Sequence, residues 1–283
     1  MRSRILGSAA LAALLLVGGA SARADDGAAI DADPEGGAIH DGVYENRYFG
    51  VTVPLPAGWT QGLEGPPPSQ SGYYVLASFE PAEALTATIM IAAQDSFFAL
   101  KPAANAAEAV ERFAGTMGGE GGLSLVHAPQ EVAIGGRGFT RLDYEGAGLH
   151  HVLLATDRRC HVLIIVLTGQ DAAALEELVG GLQAMQWADD EKDPVPLCLK
   201  DLPEAERRAQ ALSNVWALGG APVAVRLVMG ANGKVRHVHV IGAPAATAEM
   251  LTAVLASWTF EPYRQDGRAV AIETGVLIGM RKR

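Results

Sequence analysis

Residues 149–168 read LHHVLLATDRRCHVLIIVLT, two apolar runs of strand length on either side of the charged step Asp157-Arg158-Arg159. Val, Ile, Leu and Thr suit a pleated, buried surface, and the charged step between them is turn material. The reading is an antiparallel hairpin, residues 149–156 against 160–168. Two strands cannot bury both of their faces alone. The rest of the chain must therefore supply partner strands and covering helices.

Upstream, β-like runs occur at residues 43–48, 50–55, 73–79, 85–92, 130–134 and 138–145, broken by turn material such as Pro66-Pro67-Pro68. Between them, Asn105 is placed to cap a helix over residues 106–117, where Ala106, Val110, Phe113 and Met117 recur on one face. Gly118-Gly119-Glu120-Gly121-Gly122 ends it. After the hairpin, Asp171 caps a second helix running to residue 186, with Leu175, Leu178, Val179, Leu182 and Met185 on one side. Residues 188–204 read as a linker, because Asp189-Asp190-Glu191-Lys192-Asp193-Pro194-Val195-Pro196 disfavours regular structure.

Beyond the linker, residues 203–217 predict a helix. Residues 222–229 and 234–241 predict strands joined by Gly230-Ala231-Asn232-Gly233, and an Asn-Gly step is a hairpin signal. With Met229 opposite Lys234, residues Val223, Val225, Leu227 and Met229 share an apolar face with Val238 and Val240. Arg226, His237 and His239 then lie on a polar, solvent-facing side with Ala224. A helix over residues 245–257 and a third strand over 270–278 complete a β-β-α-β order. The expected fold class is α+β in two domains: an α/β sandwich with an antiparallel sheet over residues 43–187 and a β-β-α-β domain over 205–283.

The chain has 283 residues, 49% of them hydrophobic, which rules out wholesale disorder. Two cysteines make no disulfide framework, and no Cys-x-x-Cys pair suggests structural zinc. Residues 1–24 carry a basic start, an apolar run interrupted by Gly7, Gly18 and Gly19, and an Ala-x-Ala step at Ala22-Arg23-Ala24, the pattern of a secretory signal peptide. Cleavage there takes the net charge from −10 to −13 and leaves no stable membrane insertion. Residues 25–42, rich in Ala, Gly and Asp, read as a disordered lead. The charge is uneven: −14 over residues 25–186, −4 over 187–205 and +5 over 206–283. A net acid chain is a poor nucleic-acid binder, while a basic C-terminal region suits an acidic protein segment.

Two resemblances follow from particular residues. Tyr44-Glu45-Asn46-Arg47-Tyr48-Phe49-Gly50, with the strand ending in Pro56-Ala57-Gly58-Trp59, resembles the opening of PsbP-like domains. The hairpin ending at Thr168-Gly169 is similar to the end of that family. Trp258-Thr259-Phe260-Glu261-Pro262 after an Ala-rich helix, with Gly267-Arg268-Ala269-Val270 before the last strand, resembles the C-terminal domain of the energy transducer TonB. PsbP-like domains imply a non-catalytic accessory unit. The TonB likeness implies a periplasmic binding module that accepts a partner's extended segment beside its last strand, here Val270, Ile272, Glu273, Thr274, Gly275, Val276 and Leu277.

The leading expectation is therefore a non-enzymatic, periplasmic, envelope-associated protein of a Gram-negative bacterium that binds a protein partner by strand addition, with no cofactor. One alternative is a membrane-anchored TonB-type energy transducer for outer-membrane transport. Another is a metal-dependent hydrolase built on His150, His151 and His161. Against the latter, the expected hairpin sets His161 opposite Leu154 and points His150 and His151 to opposite faces. His237-x-His239 supplies two imidazoles about 6.6 Å apart, short of the ligands zinc wants, and Arg226 is expected across from His237. Cys160 and Cys198 leave two readings open, a disulfide tying the linker to the first domain or two small buried apolar residues.

Overall fold

The computed structural model describes residues 32–83, 85–117, 122–188, 196–199 and 222–279. The signal peptide, residues 25–31 of the lead, residues 189–195 and 200–204 of the linker, and the helix expected over residues 203–217 lie outside them.

In chain order, β1 (Ala38–His40) and β2 (Val43–Asn46) form a hairpin extended by β3 (Val51–Pro54). Then come β4 (Trp59–Gln61), β5 (Tyr73–Pro81), β6 (Ala87–Asp95) and α1 (Ala106–Ala114). β7 (Ser124–Leu125), β8 (Gln130–Ile134), β9 (Arg137–Gly146), β10 (Leu149–Arg158) and β11 (His161–Gly169) follow. α2 (Ala172–Gly181) closes this part with β12 (Gln186–Trp187). The remaining elements are β13 (Leu197–Cys198), β14 (Val223–Met229), β15 (Val235–Ile241), α3 (Ala245–Ala256), β16 (Arg264–Gln265), β17 (Arg268–Ala269) and β18 (Ile272–Ile278).

The main sheet has eight strands in the order β4-β5-β6-β11-β10-β9-β7, with β8 also on β9. One face packs with α2 and the small β1-β2-β3-β12 sheet around Phe79, Ile91, Leu154, Leu163 and Ile165. The opposite face meets α1. The third sheet runs β13-β18-β14-β15, and α3 covers the side bearing Val225, Leu227 and Met229 through Leu251 and Leu255.

The expected balanced α+β layout of two domains is corrected: the described chain is mostly β, about 46% strand against 16% helix, in large antiparallel sheets. The physical reason lies in the other side of the third sheet. Ala224 and Ile241 belong to the same buried cluster as Phe79 and Leu163, so the core of the first part continues onto the C-terminal sheet. The helices are also shorter than their apolar periodicity suggested, α1 ending at Ala114 and α2 at Gly181.

Register is corrected at two places. The β10–β11 turn is Arg159-Cys160, because Arg158 pairs with His161, and Leu154 faces Ile165 rather than His161. On β14, a bulge between Val228 and Met229 shifts the pairing so that Arg226 opposes His239, not His237. The lead is corrected as well: Ala38–His40 is a strand turned by Asp41-Gly42 onto β2.

Among the described residues, five hairpins share a two-residue turn with both φ angles positive. Four of them end in glycine, at Gly42, Gly136, Gly148 and Gly267, as this left-handed geometry favours. The fifth, Arg159 at φ 47 and Cys160 at φ 60, contains none. A conformation that L side chains resist must be held by its surroundings.

Candidate functional site

Those surroundings are a buried polar cluster where the main sheet meets the C-terminal one. Arg226 of β14, expected on a solvent face, has a side chain only 2% exposed. Its Nη1 donates to Asp95 Oδ2 at the end of β6, and its Nη2 to Glu273 Oε1 of β18 at 2.5 Å and to the Tyr48 hydroxyl at 2.6 Å. Tyr48 in turn donates to Glu273 Oε1 at 2.7 Å. The carbonyl of Arg159 accepts from His161 Nδ1 at 2.7 Å, which places the ring proton on Nδ1. His161 Nε2 is left as an acceptor, 3.3 Å from Arg226 Nη1. Arg159 lies over the Tyr48 ring and donates to the Tyr48 carbonyl.

Burial dominates the electrostatics. It raises the Asp95 carboxyl despite the neighbouring Arg226, and it pushes the Tyr48 hydroxyl well up. Burial, then the Arg226 charge, drives the His161 imidazole well below its usual range. Arg226 itself is held firmly charged: burial opposes this, and Glu273, Tyr48 and Asp95 outweigh it. The other two members of the expected polar face are capped from the lead, His237 Nε2 by Asp33 at 2.7 Å and His239 Nε2 by Glu35 at 3.1 Å. An alternating polar face here meets a polar partner layer instead of water.

The strand assigned to a partner is also partly taken. Leu197–Cys198 pairs in parallel with Ile272 and Glu273, Leu199 N donates to the Glu273 carbonyl, and Thr274 Oγ1 donates to the Leu199 carbonyl. Cys198 is disulfide-bonded to Cys160. Glu273, expected to flank an added strand, points inward at 1% exposure. A side chain at Gly275 would run into Phe97 and Phe98. Ile272 and Thr274 are buried, Val270 and Val276 pack partly on the α3 core, and Leu277 is exposed.

The histidines do not converge. His150 pairs with Gly169 and His151 with Thr168, at the opposite end of the hairpin from His161. His151 stacks on Tyr144 with 4.6 Å between ring centroids, and Nδ1 lies 2.9 Å from Thr168 Oγ1. Among the described residues no group of three His, Cys, Asp or Glu is placed to hold a metal ion. No described helix is long and apolar enough to cross a membrane.

Sequence reasoning missed a cleft of about 490 Å³ between α1 and the main sheet. Its origin is a mismatch of lengths. α1 has nine residues and spans about 13 Å, whereas β9 and β10 have ten each and span about 33 Å. Met90, Val166 and Leu153 form one row across three strands, and Ile164 and Ala155 the next. The helix covers part of this floor with Val110 and Phe113, while Ala99, Ala103 and Ala109 are too small to fill the rest. Lys101 and Arg112 stand at the rim. The volume and apolar lining fall within the range of small-molecule sites. The available signal was the apolar alternation of β10 and β11 on both faces, which asks for more cover than a short helix gives.

No protein-family model matches the chain, and no curated protein matches it. Among solved structures, PsbP of the cyanobacterium Synechocystis is similar at 16% identity and a TM-score of 0.39, covering 52% of this chain and 91% of its own. PA94, a Pseudomonas aeruginosa protein of unknown function, is similar at 21% identity and a TM-score of 0.32, covering 52% of this chain and 96% of its own. The comparisons bring no support for the TonB resemblance, and they place a PsbP-like neighbour beside part of the chain.

Proposed function

We propose that this protein is a non-enzymatic binding protein of an exported compartment, and that its ligand site is the cleft between α1 and the main sheet. The cleft carries the reading: about 490 Å³ of apolar-lined space, open at a rim with two cations. The non-enzymatic part rests on where the most strongly perturbed groups lie; Tyr73 and Tyr144, which line the cleft, are phenols that burial holds protonated. A catalytic acid or base must reach a substrate proton. The side chains of His161, Asp95 and Arg226 are at most 2% exposed, and that of Tyr48 is sealed against them. They act as a clamp. The test is titration of the purified protein with phenylnaphthylamine, a neutral dye that brightens in apolar surroundings. Saturable binding with one site per chain is expected, and dye fluorescence that never saturates overturns the reading.

A second reading keeps strand addition of an envelope protein to β18. It is favoured by one observation, that this edge already accepts Leu197–Cys198 by main-chain pairing. A photocrosslinker at the exposed Leu277 that captures one extended segment in cells supports it; capture unchanged by Val276→Pro overturns it.

A further inference from the structure

Resting on the cleft reading above, we propose that the ligand is a single-chain amphiphile whose apolar tail lies on the β6-β11-β10 floor and whose anionic head meets Lys101. The floor excludes charge: Met90, Leu153, Ile164 and Val166 offer only apolar contact, and Ala155 and Ala109 leave the channel open between strand and helix. Of the polar groups that line it, Asp95 and Gln94 are already engaged, and the hydroxyls of Tyr73, Ser96 and Tyr144 border the apolar floor. Asp95 accepts from Phe97 N and Arg226, and Gln94 Nε2 donates to the carbonyls of Ser71 and Gly72. Arg112 at the rim pairs with Glu108 and donates to the carbonyls of Lys101 and Pro102.

Arg112 thus fixes the loop on which Lys101 sits, and its own charge is matched. Lys101 has no ion-pair partner among the described residues. Beside it in the chain, Leu100 is 94% exposed. A tail that enters along Leu100 brings its head against Lys101 within the reach of a charge-assisted hydrogen bond. A neutral head gains less there, having no charge to pair, and a cationic head is repelled. Two apolar tails exceed a cleft that a nine-residue helix half roofs, so a single chain is the fit.

The experiment is displacement of bound phenylnaphthylamine by decanoate, decyl phosphate and decanol, each kept below its aggregation concentration. At least one of the two anions should displace the dye at about tenfold lower concentration than decanol, and which one does so identifies the head as carboxylate or phosphate. Lys101→Gln should bring the anions level with decanol, while Lys234→Gln on the C-terminal sheet should keep the difference. Dye binding with equal displacement by all three overturns the anionic head and leaves the cleft reading standing. Absence of saturable dye binding overturns the cleft reading itself.

Discussion

Arg226 and Asp95 are ion-paired across 131 residues of chain, one on β14 and the other at the end of β6, with side chains 2% and 0% exposed. A buried pair adds little over an apolar replacement of the same shape, yet removing one partner strands the other. Here Arg226 answers two carboxylates at once, Asp95 and Glu273. Arg226→Met should therefore destabilise the protein by about 3–5 kcal/mol. Urea denaturation followed by tryptophan fluorescence measures this. A variant within about 1 kcal/mol of the parent would mean that the clamp contributes nothing measurable.

His161 sets an acid limit. It is neutral in the folded state, its imidazole pushed well below 6.5 by burial and by Arg226, with the Arg159 carbonyl opposing and the charges of Arg159 and His239 adding to the shift. Once unfolded it binds a proton below about pH 6.5, so the unfolded state holds more protons there and stability falls with pH. Asp95, with its carboxyl raised by burial, contributes in the opposite sense, gaining stability as pH falls through its raised value. Asp33, lowered by His237 and His239 against the effect of burial, matters only below about pH 3.8. His161→Gln keeps a donor for the Arg159 carbonyl and removes the titration. Between pH 6.5 and 5 the parent should lose up to about 1.4 kcal/mol per pH unit more than the variant. Equal slopes would count against a neutral, buried His161.

The Cys160–Cys198 bond spans 38 residues and tethers the short strand Leu197–Cys198, which pairs with β18, to the β10–β11 turn. Chain entropy alone gives such a cross-link about 4 kcal/mol. Cys160→Ser with Cys198→Ser should lower stability by about 2–4 kcal/mol, and the amides of Leu197 and Leu199 should exchange faster than those of β14. Unchanged protection at these two amides would show that pairing with β18 holds the segment without the bond.

What could be read from sequence, and what could not, divides along a physical line. Apolar periodicity located six of the eight strands of the main sheet, missing the short β4 and β7, and the two faces of β14 and β15, while residue type placed the Asn105 and Asp171 helix caps. It did not distinguish a polar face turned to water from one turned to buried polar partners, because Arg226 and His239 alternate with Val225 and Val238 either way. The bulge at Val228/Met229 has no residue signature, so Arg226 was set against the wrong histidine. In the lead, Asp33, Glu35 and Ala38–His40 are ordered by ion pairs and a backbone hairpin, neither of which raises hydrophobicity. The cleft was missed because it is a space left over between elements of unequal length.

The Arg159-Cys160 turn supplies a further prediction. With both φ angles positive and no glycine, it carries strain that the other four hairpins of this geometry avoid in part. In the cysteine-free background, Cys160→Gly with Cys198→Ser should be more stable than the double serine variant by about 1 kcal/mol. Thermal denaturation of the pair measures it. A glycine variant no more stable than the serine one would show that this left-handed turn stores no appreciable strain.

Ala109 is the residue whose size keeps the cleft open from the helix side. Phenylalanine there would reach toward Ile164 and Val166 on the floor. The exchange costs about 0.5 kcal/mol in helix propensity and recovers a comparable amount by covering apolar surface, so folding should change by less than about 1 kcal/mol. Ligand binding should change far more, because the ring and a tail compete for the same space. Phenylnaphthylamine affinity should fall at least tenfold in Ala109→Phe while its urea midpoint stays near that of the parent. Val254→Phe on α3, whose helix packs on the third sheet, should leave dye affinity unchanged. Full dye affinity in a folded Ala109→Phe would place the dye, and with it the ligand, somewhere other than between α1 and the β6-β11-β10 floor.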